Sequence, residues 1–179
     1  MSSVRVRKRC AVASEEKYGQ GANVFSVRPV GVVSSSIKEI ADDCWGDIAA
    51  TIDFDPSVFS PDCTAGLAEF SHVEVIFLLD RIPTEKILTR AKHPRERADW
   101  PLVGIFAQRS KNRPNRIGIT VCKLESVDGL RIRVRELDAI DGTPVLDVKP
   151  YLSGFAPRGE FREPSWAKEL MAGYFRTTK

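Results

Sequence analysis

The sequence contains few of the residues that build metal centres and disulfide frameworks. Its four cysteines, at positions 10, 44, 63 and 122, lie far apart and form no CxxC pair, and it has two histidines, His72 and His93. A structural zinc site needs four such ligands, usually in closely spaced pairs. The sequence therefore predicts no metal, and we expect its thiols to be reduced.

Long apolar runs and the motifs of common nucleotide enzymes are also missing. No run approaches the roughly 20 apolar residues that span a bilayer, and the first residues lack the apolar stretch of a secretory signal. We expect a soluble, cytoplasmic protein with no membrane association. There is no Walker, HExxH or GxSxG motif, and Gly19 and Gly21 do not follow a strand pattern. This disfavours a Rossmann-type nucleotide enzyme and a metal-dependent hydrolase.

What is present fits one domain with an extension at each end. The chain has 179 residues, of which 42% are hydrophobic, and a net charge of +3. This size supports one substantial core, and so mild a charge does not by itself indicate a nucleic-acid-binding protein. Residues 1–23, which include a basic cluster, are predicted to form a flexible arm. Residues 24–152 form the predicted main domain, and residues 153–179 form a C-terminal extension.

The main domain has the pattern of a mainly β protein with short helices. Alternating and β-branched residues predict strands, and Asp128-Gly129 is typical of a hairpin turn. The run 70–79 is so continuously apolar that we expect both of its faces to be covered. A short helix is predicted within 61–69, and a capped helix at 166–171 is expected to pack on the sheet. The predicted strands cover residues 24–33, 48–54, 70–79, 117–127, 130–137 and 145–148.

Residues 104–118 form the most distinctive loop. They contain Arg109, Lys111, Arg113 and Arg116, and Pro114 restricts the backbone. Guanidinium groups on a stiff loop between two strands suit a phosphate, a carboxylate or a stacked base. A solvated basic turn is the alternative. The polar, proline-broken residues 84–101 before this loop predict a long flap.

Several other side chains have both a functional and a structural interpretation. Asp42, Asp43 and Trp45 lie in a long loop, where acids can bind an amine or a ribose diol and an indole can cover a purine. Otherwise this is a surface loop with Trp45 in the core. His72 is either catalytic or a hydrogen-bonded structural histidine. The arginines of the last hairpin strand either face RNA or form a solvated face; they are Arg131, Arg133 and Arg135.

Four groups of motifs occur in the order found in a known family. They are Phe70-Ser71-His72; Gly104-Ile105-Phe106-Ala107-Gln108-Arg109-Ser110; Arg113-Pro114-Asn115 with Ile117-Gly118; and Leu137-Asp138 through Asp141-Gly142-Thr143-Pro144 to Tyr151. Together they resemble the TsaA-like family, also called YaeB or TrmO, over roughly residues 25–151. The resemblance implies an S-adenosylmethionine-dependent methyltransferase built on a small antiparallel or mixed β-barrel. Members are usually homodimers, and the best known methylate N6 of threonylcarbamoyladenosine in tRNA.

The resemblance also assigns roles to individual residues. By motif matching, cofactor contacts fall on Arg81, Arg109, Ile117 and the segment Asp138, Ala139, Ile140 and Asp141. Asp43 and Trp45 complete the predicted cofactor-binding set. Arg113 and Asn115 match the loop beside the methyl-transfer site, and Asp141 is the candidate base, so these three are the predicted catalytic residues.

Two positions depart from the family pattern. The usual Arg-Pro-Asn-Pro reads Arg113-Pro114-Asn115-Arg116, and a cofactor loop that carries proline and arginine in the family reads Asp42-Asp43-Cys44-Trp45-Gly46. The alternative to a tRNA methyltransferase is therefore a non-catalytic module of the same fold that binds S-adenosylmethionine or RNA.

Overall fold

The computed structural model describes residues 24–177 and shows a closed barrel of six antiparallel strands. The strands are β1 (Gly31–Ser35), β2 (Ala49–Phe54), β3 (His72–Leu78), β4 (Ile117–Asp128), β5 (Arg131–Arg135) and β6 (Pro144–Pro150). Around the barrel they follow the order β1, β2, β5, β4, β3, β6, and β6 pairs with β1 to close it. The predicted mainly β barrel is confirmed. The arm predicted for residues 1–23 lies outside the described residues.

The core forms because alternate residues of each strand point into the barrel. On β5, Ile132 and Val134 are fully buried, whereas the arginines between them face outward. Gly118 on β4 pairs with Phe77 on β3, and a Cβ at position 118 would overlap the Phe77 ring. Glycine at this position therefore lets the large ring fill the barrel. Other inward-facing residues are Val33, Ile52, Val73, Val75, Cys122 and Val145.

The antiparallel arrangement makes the connections alternate between the two ends of the barrel. Three loops share one end, which we call the loop end: residues 36–48 after β1, residues 79–116 after β3, and residues 136–143 after β5. The connection 55–71, the turn between β4 and β5, and the exit of β6 lie at the opposite end.

Some predicted boundaries are wrong, for local reasons. The first strand begins at Gly31 rather than at residue 24, since Pro29 has no N–H with which to join a ladder. The helix predicted within 61–69 is two 3₁₀ turns, Pro61–Thr64 and Leu67–Glu69, because Gly66 between them takes a φ of 79°. The expectation that both faces of β3 are covered is also wrong, since one face is buried and the alternate residues on the other face are half-buried.

The C-terminal extension contains the predicted helix, α1 (Ser165–Met171). It follows Pro164 and has no side-chain cap, contrary to expectation. It also packs on the second loop rather than on the sheet, since the ring of Trp166 lies 6.2 Å from that of Trp100. No helix within residues 24–177 is long and apolar enough to cross a membrane.

Candidate functional site

The predicted cofactor-binding and catalytic residues lie at the loop end of the barrel. The first loop carries Asp43 and Trp45, and the second carries Arg81, Arg109, Arg113 and Asn115. The third carries Asp138, Ala139, Ile140 and Asp141, and Ile117 opens β4 where the second loop ends. Widely separated parts of the chain therefore meet at one end because of the barrel topology.

The backbone at the loop end is strained. Within the described part of the chain, all five non-glycine residues with positive φ are on these three loops. Such conformations cost roughly 1–3 kcal/mol each, and they concentrate at active sites and ligand clamps. The residues are Cys44, Arg95, Glu96, Arg116 and Glu136, with φ between 50° and 71°.

Ion pairs join the first loop to the second. Arg95 makes two 2.6 Å bonds to the Asp43 carboxylate, and a third of 3.0 Å to the Asp42 carbonyl. Lys111 reaches the Asp42 carboxylate at 2.5 Å. Hydrogen bonding to Asp43 raises the pKa of the Arg95 guanidinium, which is charged in any case. Asp42 and Asp43 are thus paired with cations of the protein itself. They hold the first loop against the second and are not free to bind a ligand.

Trp45 is 3% exposed, which agrees with the structural interpretation of this residue. Its indole Nε1 nevertheless has no hydrogen-bond partner. Among residues 24–177, this is the one buried side-chain nitrogen or oxygen without a partner. An unpaired buried donor costs about 1–3 kcal/mol. A polar atom of a bound cofactor would remove this cost, so the donor set of the loop end fits a ligand.

Asp138 accepts hydrogen bonds from two hydroxyl groups. Thr120 on β4 donates to one carboxylate oxygen and Tyr174, after α1, donates to the other. The neighbouring Arg109 donates to the Ile119 carbonyl through Nη2 at 2.5 Å. Its other guanidinium N–H groups are exposed and have no partner among residues 24–177. Tyr174 was missed at the sequence level, because it belongs to no motif and follows a short helix far along the chain.

Asp141 and Arg81 hold the third loop in place. The Asp141 carboxylate accepts the Ser35 N–H at 3.0 Å through Oδ1, and its own N–H donates to the Ile37 carbonyl at 2.7 Å. Arg81 donates to the Asp141 carbonyl at 2.8 Å and to the Lys38 carbonyl at 3.1 Å. Its guanidinium therefore links all three loops. Ala139 is buried and belongs to the hydrophobic core, and Ile140 is half-buried.

Arg113 and Asn115 differ in how much of their polar surface is used. Arg113 donates through Nη1 to the carbonyls of Ile105, at 3.0 Å, and Gln108, at 2.5 Å, and it lies 5.7 Å from the Phe106 ring centre. Asn115 is exposed, and its side chain makes no hydrogen bond to the described residues. Phe106 is 80% exposed, so its ring faces solvent beside the half-buried Arg113 guanidinium. Ile117 is also exposed.

Two other candidates have structural partners. His72 Nδ1 lies 2.8 Å from the Ser71 hydroxyl and stands at the end of the barrel away from the loops. The hairpin arginines face solvent but are paired with acids: Arg131 with Asp53 at 2.5 Å, and Arg133 and Arg135 with Glu125 at 2.9 and 2.6 Å. These contacts agree with the structural interpretations of both features.

A cavity of about 500 Å³ lies at the opposite end of the barrel and shares no residue with the predicted site. It opens beside the seam where β1 and β6 pair through only two residues of each strand. Its lining residues include Phe54, Phe59, Phe70, Val148 and Glu69. Within residues 24–177, no group of three or more His, Cys, Asp or Glu side chains is arranged to hold a metal ion.

The chain is similar to known proteins of one family. The family model of the tRNA-methyltransferase O N-terminal domain matches residues 41–156. The tRNA (adenine(37)-N6)-methyltransferase of Mus musculus is 42% identical over 90 residues, which are 50% of this chain and 20% of the mouse protein. A "probable S-adenosyl-L-methionine-binding protein" of Pyrococcus abyssi is 36% identical over 139 residues, 75% of this chain and 72% of that protein.

The fold is also similar to that of a solved structure. The crystal structure of TrmO from P. aeruginosa superposes with a TM-score of 0.65 at 28% identity, covering 81% of this chain and 62% of that one. The chain thus spans a fifth of the mouse protein and less than two thirds of the solved one. The TsaA-like resemblance of its motifs is confirmed, and the chain belongs to the tRNA-methyltransferase O family.

Proposed function

We propose that this chain is an S-adenosylmethionine-dependent methyltransferase that acts on tRNA, at N6 of threonylcarbamoyladenosine or a related acceptor. One observation carries the proposal: the residues that motifs assign to cofactor and acceptor come from three separate loops and meet at one end of the barrel. All of them lie within the matched residues 41–156. The names of the mouse and Pyrococcus relatives support the same reaction and the same cofactor.

Three residues of the loop end would hold the cofactor. S-adenosylmethionine, when bound, supplies a methyl group on a positively charged sulfur. Arg109 has free N–H groups that suit the methionine carboxylate. Asp138 keeps a second lone pair on each oxygen for a ribose hydroxyl or the methionine ammonium group. The unpaired Trp45 Nε1 donor would gain a partner.

The acceptor would lie beside Asn115 and the Arg113–Phe106 pair. Arg113 is held by two carbonyls of its own loop, so its plane has one orientation and offers a face on which a base can stack. Asn115 is free to bond the base or its phosphate. Asp141 Oδ2 has no bonding partner within residues 24–177 and would serve as the base that takes the acceptor proton. In-line transfer over about 3 Å then depends mainly on this positioning.

Cofactor binding tests the site. We expect Arg109→Gln to weaken the affinity for S-adenosylmethionine by about 10- to 100-fold, because a charge-assisted hydrogen bond is lost. Titration calorimetry would measure this change. Arg28→Gln is the matched control, since it removes the same charge from an exposed position at the opposite end of the barrel. Equal affinities for Arg109→Gln and the unaltered protein would contradict the assignment.

We also propose that the chain forms a homodimer through the outer face of β3 and β4. Ile117, Ile119 and Val121 are each more than 40% exposed on this face. Two of them pair with Leu78 and Ile76 across the strands, so the apolar surface is continuous. Exposed apolar patches of this kind mark protein interfaces, and a second copy of the chain would cover this one.

A further inference from the structure

The C-terminal segment, residues 165–176, returns to the loop end. β6 leaves the barrel at the opposite end. The main-chain N–H of Trp45, on the first loop, nevertheless donates to the Tyr174 carbonyl at 2.9 Å. A Cβ at Gly46 would overlap the Phe175 carbonyl oxygen, so the two backbones touch here and glycine is required. The C-terminal segment lies outside residues 41–156, which the family model matches. The segment therefore reaches the site from outside the matched residues.

A second anchor fastens the C-terminal segment to the second loop. Trp100 is 6% exposed, and its ring packs against Trp166 of α1. The Trp100 Nε1–H also donates to the Glu169 carboxylate at 3.0 Å. Contacts to two of the three loops thus fix the position of the turn that follows α1.

This turn delivers the Tyr174 hydroxyl to Asp138. Burial, together with the negative charge of Asp138, raises the pKa of Tyr174 well above its usual value, although Arg109 and Arg95 act against the rise. The phenol therefore stays protonated at physiological pH and acts as a donor, not as a base. With Thr120 on its other oxygen, the Asp138 carboxylate is held from both sides.

We propose that Tyr174 is a positioning residue for the cofactor site, and that the C-terminal segment forms one wall of that site. The χ2 torsion of an aspartate side chain, which sets the plane of its carboxylate, ordinarily has a broad distribution. Two hydroxyl donors fix its plane, so its remaining lone pairs are aimed before the ligand arrives, and less ordering is needed on binding. This inference rests on the proposed function, because it gives Asp138 the role of a cofactor ligand.

Tyr174→Phe tests the inference, since it keeps the ring and removes the hydroxyl. We expect the dissociation constant for S-adenosylmethionine to rise about tenfold in titration calorimetry. In the Asp138→Asn background the same change should have an effect of less than about twofold, because Tyr174 acts through Asp138. Tyr151→Phe is the matched control: the Tyr151 hydroxyl makes no hydrogen bond within residues 24–177, and the affinity should not change.

Hydrogen exchange gives a second readout that does not depend on catalysis. Adding S-adenosylmethionine should slow exchange of the main-chain amides of Trp45 and of the turn after α1, because a bound ligand stabilises this wall against local opening. An unchanged dissociation constant for Tyr174→Phe, accompanied by a lower melting temperature, would overturn the inference and leave only a structural role. If Tyr174→Phe changed the dissociation constant equally in the unaltered protein and in the Asp138→Asn background, the inference would also be overturned. Absence of cofactor binding by the unaltered protein would instead overturn the proposed function itself, and this inference with it.

Discussion

Arg116 has a backbone conformation that proline cannot adopt. Its φ is 53°, its N–H donates to the Arg113 carbonyl at 3.0 Å, and its Nη1 donates to the Ile82 carbonyl at 2.8 Å. Proline fixes φ near −65° and has no N–H. The motif that this loop resembles has proline here, and proline does not fit the backbone of this chain.

The first prediction follows from this geometry. Arg116→Pro should lower the free energy of unfolding by more than about 1 kcal/mol, since the native φ is unavailable to proline and a hydrogen bond is lost. Urea unfolding would measure it. Arg116→Gly is the control: it accepts the positive φ and keeps the N–H, so its loss should be smaller. A proline variant as stable as the unaltered protein would show that the loop takes another conformation.

Arg81, Arg113 and Tyr174 show what the sequence could and could not predict about single residues. The motifs identify the two guanidinium groups, but their partners are main-chain carbonyls, and the Asp141 carbonyl bonded by Arg81 is 60 residues away. Composition and spacing carry no information about such partners. Tyr174 has no motif, and its proximity to Asp138 arises only when the C-terminal segment folds back.

The β4–β5 hairpin is the clearest case at the scale of elements. The alternation on β5 and the Asp128-Gly129 turn predict it from sequence, and the structure has β4 ending at Asp128 and β5 beginning at Arg131. Its outer charges pair across strands, which the alternation alone does not show. The C-terminal helix was likewise predicted within one residue, but the surface on which it packs was not, because that surface is a loop whose path depends on tertiary contacts.

Glu125 makes the stability of this hairpin depend on pH. Hydrogen bonds from Arg135 and Arg133 lower its pKa below the usual 4.5. The stabilisation is therefore present above about pH 4.5 and is lost as the pH falls through the lower folded-state value. Glu125→Gln should be less stable than the unaltered protein at about pH 6, and the difference should shrink toward about pH 3. Urea midpoints across this range would measure it, and a constant difference would contradict the ion-pair explanation.

For the whole molecule, the proposed dimer makes a prediction on the β3–β4 face. Val121→Arg should give a monomer in light scattering, since it places a charge on the apolar face while Glu74 opposite can pair with it. Val32→Arg is the matched control, because Val32 is 45% exposed and lies opposite Asp53 on another face. It should leave the assembly unchanged. A Val121→Arg protein with the same mass in solution as the unaltered one would exclude this face as the interface.

At this scale the sequence predicted the family and the barrel, because ordered motifs and strand alternation are properties of the chain itself. It did not predict how the three loops are joined. The Arg95–Asp43 pair joins residues that are 52 positions apart in the sequence, and the Lys111–Asp42 pair joins residues that are 69 positions apart. Only barrel closure brings these residues together. The barrel topology thus brings the three loops together at the loop end, and the motifs identify the functional side chains that they carry.

The most direct test of the central claim is transfer of labelled methyl groups from S-adenosylmethionine to purified tRNA, followed by nucleoside digestion and mass spectrometry. The tRNA should be supplied with and without threonylcarbamoyladenosine. We expect the label on N6 of that nucleoside with the unaltered protein, and strongly reduced transfer with Arg109→Gln. Cofactor binding without label in any tRNA would contradict the claim and indicate a non-catalytic binding module of the same fold.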